Sequence, residues 1–365
     1  MEEYVNGIIR GKNQGVFSFF LFLLSIVYGF IQRVRVLLYR KGLFKVEKIG
    51  SKVISVGNIT LGGTGKTPAV MAIAQMGKEK SFKVTILTRG YKGKAEGINV
   101  VSDGSRILLN CEDAGDEPYL MAKKLNGIPV VKGKNRYLSA RFAIKRFGSD
   151  LFILDDGFQH LKIHRDVNIL LIDATDPFGN NRIFPGGTLR EPLTAIGRAD
   201  IIVLTKSDLS QKNAETIKKI REYNPSAPIF TSYYYLIDLV DMKGDIMPVK
   251  GIKGRSLFIF SGLANHSSFR SIIEREGARV KGELTYPDHF YYSESDMKEI
   301  KKKSESAGAD MIVTTEKDIV RIPYQGVEPE TSSGQVWALR IEFIVEDREG
   351  WESILFQKGP IGGNS

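Results

Sequence analysis

Between Ser55 and Pro68 the chain reads Ser-Val-Gly-Asn-Ile-Thr-Leu-Gly-Gly-Thr-Gly-Lys-Thr-Pro, a short apolar run, a glycine-rich turn and a helix opened by Gly-Lys-Thr. Few folds accommodate that order. It needs a buried strand whose end feeds a loop wrapped around an anion at a helix N-terminus. The backbone N–H groups of Gly62, Gly63, Thr64, Gly65 and Lys66 are spaced to cradle phosphates. The Lys66 ammonium then reaches the β and γ oxygens, and the Thr67 hydroxyl sits on Mg²⁺. Pro68 suits the first helical turn, where a missing N–H costs nothing, and Ala69 to Met76 continue the helix. Thr60 stands where the strict G-x-x-x-x-G-K-[ST] pattern has its first glycine, so context carries part of the specificity. The expectation is a chain that handles a nucleoside triphosphate.

Apolar runs recur downstream at Val53 to Val56, Val84 to Leu87, Val130 to Val131, Leu151 to Leu154, Ile169 to Ile172, Ile201 to Leu204 and Ile229 to Thr231, separated by helical stretches. That alternation predicts an α/β fold, a P-loop NTPase-like parallel sheet with helices on both faces. Polar residues follow several of these strands at the carboxyl edge, where such sheets bind ligands: Thr88-Arg89-Gly90-Tyr91, Asp155-Asp156, Asp173 and Thr205-Lys206-Ser207-Asp208. Near Tyr233 to Lys250 the pattern changes to a hairpin with Lys243-Gly244-Asp245 as its turn. A smaller C-terminal α/β domain follows, with strands at Leu257 to Phe260, Val280 to Leu284, Met311 to Thr314 and Val336 to Ile344. The expected organisation is an anchor at 1–45, a core at 46–232, a hairpin linker at 233–250, the second domain at 251–357 and a flexible tail at 358–365.

The 365 residues are 42% hydrophobic, enough for well-packed cores, and the single Cys111 excludes an intramolecular disulfide and a Cys-rich zinc site. A metal would be held by oxygen. The net charge of +10 is spread along the chain without a base-reading module, which argues against a nucleic-acid partner. Val16 to Ile31 carries no charge and is followed by Arg33, Arg35, Arg40, Lys41 and Lys45. Its 16 residues fall short of the roughly 20 that cross a bilayer, and no small-x-small cleavage site follows. The expectation is a membrane-associated helix lying in the interface, its basic flank on an anionic membrane surface.

Leu151 to Leu154 end in Asp155-Asp156-Gly157-Phe158-Gln159-His160, two adjacent carboxylates where a nucleotide fold organises Mg²⁺; a plain Asp-Gly turn is the alternative. Cys111-Glu112-Asp113-Ala114-Gly115-Asp116-Glu117-Pro118 gathers four acids before a helix. Asp116 is there either an N-cap or the acceptor of a substrate hydroxyl proton. His160 and His289, the latter in Tyr286-Pro287-Asp288-His289-Phe290, each have a carboxylate nearby in sequence with which to orient a proton. In Phe184-Pro185-Gly186-Gly187-Thr188-Leu189-Arg190-Glu191-Pro192, Arg190 can clamp a phosphate and Glu191 a metal or hydroxyl, or both can be bound in surface ion pairs. Thr205-Lys206-Ser207-Asp208 is similar to the guanine-reading element of GTPases, which keeps a membrane-associated regulatory GTPase or ATPase open as the alternative.

Taken together, VGNITLGGTGKTP, LTRGYKG, AGDEP, LDDGFQH, FPGGTLREP, TKSD, FSGLAN, YPDHF and TTEKD occur in one order through the chain. In that order they resemble the tetraacyldisaccharide 4′-kinases, the lipid A 4′-kinases of Gram-negative bacteria. The resemblance implies transfer of the ATP γ-phosphate to the 4′-hydroxyl of an acylated glucosamine disaccharide 1-phosphate lipid, at the cytoplasmic face of the inner membrane. It implies Asp116 as catalytic base assisted by His289, and Gly62 to Thr67 as the ATP loop with Lys66 in catalysis. Asp155, Asp156, Glu117, Gln159 and Thr67 are then expected around Mg²⁺, and Arg190, Glu191, Arg89 and His160 near the phosphates or the sugar.

Overall fold

The computed structural model describes Gly7 and residues 15–263, 266–323 and 335–357. The expected tail at 358–365, most of 1–14, and Ala264 and Asn265 of FSGLAN lie outside the described residues. The strands are β1 Lys52–Asn58, β2 Val84–Thr88, β3 Asn99–Ser102, β4 Val130–Lys132, β5 Leu151–Asp155, β6 Val167–Asp173, β7 Ile201–Thr205, β8 Ile229–Asp241, β9 Ile246–Pro248, β10 Ser256–Ser261, β11 Arg279–Thr285, β12 Met311–Thr315 and β13 Val336–Val345. The helices are α1 Val16–Arg40, α2 Lys66–Glu79, α3 Cys111–Ala114, α4 Asp116–Lys124, α5 Arg136–Phe147, α6 Asn213–Tyr223, α7 His266–Arg275, α8 Glu294–Ser306, α9 Glu316–Ile319 and α10 Arg348–Phe356.

All strands belong to one sheet in the order β11-β10-β12-β13-β8-β7-β6-β1-β5-β2-β4-β3, with β9 paired to β8. β1 lies between β5 and β6, parallel to both. The chain therefore leaves β1 toward one side and returns on the other, and such a reversal opens a crevice at the carboxyl ends of the strands. Both sheet faces are covered, because alternate residues of β6 enter different cores: Ile169 and Leu171 pack with Ala69, Val70 and Ile73 of α2, while Leu170 and Ile172 pack with Phe158 and Ile196. A strand buried on both sides must be apolar throughout, which is why these runs are continuous rather than alternating.

The segment expected as a hairpin linker forms that hairpin, and its first strand is built into the sheet. β8 begins at Ile229, pairs in parallel with β7 over Ile229 to Thr231, and then runs antiparallel to β13 from Ser232 to Asp241. Its hairpin to β9 turns at Gly244, whose φ of 95° suits glycine. The two halves thus share a strand. In the second half, Ser293 caps α8 and Asp296 returns the bond, a complete capping box.

α1 is 25 residues long, extending beyond the uncharged run to Arg40, with only 22% of its most apolar window buried. It is no core helix. Leu21, Ser25 and Gly29 form a buried stripe one turn apart against the 182–190 loop. A Cβ on Gly29 would come 2.8 Å from Ile183 Cδ1, and one on Gly186 would come 3.1 Å from Ser25 Oγ. Tyr28 meets Phe184 edge-on, and Arg35 Nη2 donates to Gln159 O at 2.9 Å. Phe19, Phe20, Ile26, Val27, Phe30 and Ile31 remain exposed.

Candidate active site

The phosphate loop is held open from both ends. Thr60 forms a β-bridge with Leu189, Leu61 N donates to Thr188 O at 2.7 Å, and Arg190 N donates to Ile59 O at 2.7 Å. Thr60 therefore replaces the expected glycine without strain: its backbone is bridged, and the left-handed positions are Gly62 (φ 119°) and Gly65 (φ 85°). Beneath the loop, Thr205 Oγ1 donates to Thr64 O at 3.1 Å and Lys206 Nζ to Gly63 O at 3.2 Å. Lys206 also forms a buried ion pair with Asp173. Carbonyls anchored on the sheet side leave loop N–H groups for an anion at the start of α2, all but that of Thr64, which donates to Gly62 O at 3.1 Å. A Cβ on Gly65 would lie 1.9 Å from the Tyr234 hydroxyl, so β8 also walls the loop.

Lys66 Nζ lies 3.3 Å from Asn58 Oδ1 and 3.6 Å from Asp156 Oδ1. Asp155, at the end of β5, is buried and accepts from Thr88 Oγ1 at 2.9 Å. Burial first, then the neighbouring Glu117 and Asp156 carboxylates, push its acid up to about 7. Asp156 has a left-handed backbone (φ 51°) and accepts from Arg190 Nη1 with both oxygens at 2.9 Å. Burial would raise its pKa, but Lys66 and Arg190 hold it below the ordinary value. Among the described residues no cluster of three or more His, Cys, Asp or Glu side chains forms a ready metal cage. Mg²⁺ needs none: one or two carboxylates with waters and phosphates suffice. The crowding of acids that raises Asp155 is what a cation there would relieve, so the donor set fits.

Asp116 is the first residue of α4, and the N-cap is Gly115 (φ 92°), so the capping alternative is corrected. Its carboxylate turns instead to the other half of the molecule. His289 Nδ1 lies 3.0 and 3.1 Å from its two oxygens, and Arg321, fully buried, pairs with Oδ2. Burial works to raise the Asp116 pKa, while the His289 hydrogen bond and the Arg321 and Lys317 charges hold it well below the usual carboxylate range. His289 has φ 63°, unusual for a non-glycine, and its ring meets Tyr91 edge-on at 5.4 Å. Lys317 pairs with Glu117, and Lys124 Nζ with Glu316 Oε1 at 2.8 Å. Asp318 accepts from Gly262 N and Tyr292 OH, each at 2.9 Å, and from Thr315 Oγ1, which fixes Arg321 from behind.

Lys317, Asp318 and Arg321 were missed as site residues by sequence reasoning. The available signal was the Thr-Thr-Glu-Lys-Asp run after an apolar strand, at the same sheet edge that carries the other polar loops. Other expected residues are committed elsewhere. Glu191 is buried in a fork-to-fork pair with Arg198 at 2.8 and 2.9 Å, and Arg198 lies over Phe158, so its carboxylate is structural. Arg190 clamps Asp156 rather than an open anion site. Gln159 Nε2 donates to Asn58 O at 2.8 Å, which leaves its Oε1 as the only metal-facing atom it can offer. Burial and surrounding arginines, Arg136 foremost, push His160 down to about 4, and its buried Nε2 has no hydrogen-bond partner. Arg89 follows the end of β2 and is exposed. Asp208, the residue that would read guanine, is paired with Arg275 of α7.

The family described as tetraacyldisaccharide-1-P 4′-kinase matches residues 17–359. A tetraacyldisaccharide 4′-kinase of Desulfotalea psychrophila is 41% identical over 302 residues, covering 82% of this chain and 86% of the relative. One from Syntrophus aciditrophicus is 36% identical over 356 residues, covering 95% and 94%. The crystal structure of LpxK from Aquifex aeolicus in complex with ATP superposes with a TM-score of 0.71 at 34% identity, covering 91% of this chain and 96% of that one.

Proposed function

The chain belongs to the tetraacyldisaccharide-1-P 4′-kinase family, and from that premise we propose that it transfers the γ-phosphate of ATP to the 4′-hydroxyl of a tetraacylated glucosamine disaccharide 1-phosphate. The observation that carries the reading is the 3.0 Å contact of Asp116 with His289, residues 173 positions apart, at the sheet edge that also carries Lys66 and Asp155. Phosphoryl transfer asks for positioning, charge neutralisation and a proton acceptor beside the acceptor hydroxyl. Lys66 supplies the first cation by moving from Asp156 to the β and γ oxygens, and the loop N–H groups hold the remaining charge. Asp116 takes the hydroxyl proton, with His289 orienting the carboxylate from the second half.

Thr67, Asp155 and Asp156 are the residues that would hold Mg²⁺, with Glu117 and Gln159 behind them. The ion, when bound, neutralises charge developing between the β- and γ-phosphates. Arg190 sets Asp156 for that task, and we assign Arg89, exposed at the end of β2, to the sugar phosphate together with His160. The exposed apolar face of α1 and the basic residues Arg33 to Lys45 dock the enzyme on the cytoplasmic face of the inner membrane, where a four-chain lipid resides. The regulatory GTPase alternative is disfavoured by the Asp208–Arg275 pair, which occupies the guanine-reading carboxylate. The test incubates purified protein with Mg²⁺, γ-labelled ATP and the lipid disaccharide 1-phosphate. Label in the lipid is expected; nucleotide hydrolysis indifferent to lipid would overturn the reading.

A further inference from the structure

Thr205-Lys206-Ser207-Asp208 has no part in the transfer as described, yet half of a guanine-reading device is built around it. In such devices the lysine runs under the phosphate loop and the aspartate accepts the N1–H and N2–H₂ of guanine. Here Lys206, held at φ 56°, donates to Gly63 O at 3.2 Å beneath the loop as the lysine of such a device does, and Asp208 follows it by two residues. The second half of the device is blocked. Arg275 Nη1 at the C-terminal end of α7 binds Asp208 Oδ2, and Arg275 Nη2 reaches Tyr234 O at 3.5 Å.

The pair is partly exposed, with side chains 26% and 42% accessible, and there an isolated ion pair adds little stability. Its chemical effect is larger. A bare carboxylate attracts the donor edge of guanine and repels the N1 acceptor of adenine; a carboxylate neutralised by a guanidinium does neither. The geometry points to Arg275 as a specificity-determining residue: by holding the Asp208 carboxylate it removes the acceptor that guanine needs and leaves adenine as the accepted base. This rests on the kinase reading for its turnover assay alone.

The experiment compares kcat/KM for GTP and ATP in the wild type, Arg275→Ala, Arg275→Gln and Arg275→Ala/Asp208→Ala. Freeing Asp208 raises the GTP-to-ATP ratio about tenfold or more, in line with one charge-assisted hydrogen bond, and removing Asp208 in the double variant abolishes the gain. An unchanged ratio in either single variant that keeps the wild-type melting temperature overturns the proposal, as does a gain that survives in the double variant. If neither nucleotide supports lipid phosphorylation by the wild type, the kinase reading has failed. The ratio of dissociation constants for non-hydrolysable GTP and ATP analogues then decides the base question by the same criteria.

Discussion

Asp116 is nearly inaccessible, ionised, and contacted by residues from a distant part of the chain. A carboxylate held so far below its ordinary range is a weak base in bulk terms, so its value lies in placement and in His289 sharing the proton's charge. Asp116→Asn is expected to lower kcat about 10²- to 10⁴-fold while ATP affinity stays within a factor of about two, measured by single-turnover transfer and nucleotide titration. His160 gives a different signal. Its folded pKa near 4 lies below the ordinary 6.5, so between these values the unfolded chain binds more protons and stability rises with pH. As pH falls through that window stability is lost, and His160→Gln should flatten the slope in urea titrations at pH 4.5, 5.5 and 6.5. The identities of Asp116, His289 and Lys66 were legible because each sits in a motif. Arg321 was not: nothing in the sequence says that a residue 205 positions away reaches Asp116.

At the scale of elements, the phosphate loop depends on neighbours that its own sequence does not name. Tyr234 stands against Gly65, so Gly65→Ala must displace either the loop or the ring in addition to straining a left-handed backbone. A rise in the ATP KM of about tenfold or more is expected, with folding retained by circular dichroism. α1 is tied to two loops at once, to 182–190 by its small-residue stripe and to the loop after β5 by the bond from Arg35 to Gln159. Removal of residues 1–31 should release the protein from anionic vesicles in a flotation assay; unchanged flotation would reject the anchor. Strand positions were read well because doubly buried strands are continuous apolar runs. The 233–250 hairpin and its turn were legible, whereas the change of partners along β8, parallel to β7 and then antiparallel to β13, was not, because pairing between distant strands leaves no local mark.

Across the whole molecule, charges carried by α9 and the turn after it meet those of α4. Lys317–Glu117, Lys124–Glu316 and the Asp318–Arg321–Asp116 chain close the crevice on one side. The Arg321 side chain is fully buried, and Arg321→Met removes the guanidinium shared by two buried carboxylates, leaving Asp116 to His289 and Lys317, and Asp318 to its hydrogen bonds. A loss of about 3 to 5 kcal/mol in unfolding free energy is expected, partly restored by Arg321→Lys, measured by denaturant titration. The opposite side is closed by β8 itself, a strand that belongs to both halves. The two halves are joined by packing as well as by that strand, because one buried cluster holds Ile54, Ile73 and Ile169 together with Leu257, Ile259 and Val313. Under the proposed function, a nucleotide on the phosphate loop and a lipid against His289 share this one frame, and whatever coupling it carries between them is reciprocal. The factor by which one ligand changes the affinity of the other is returned in full, so titrating each with and without its companion must give the same ratio.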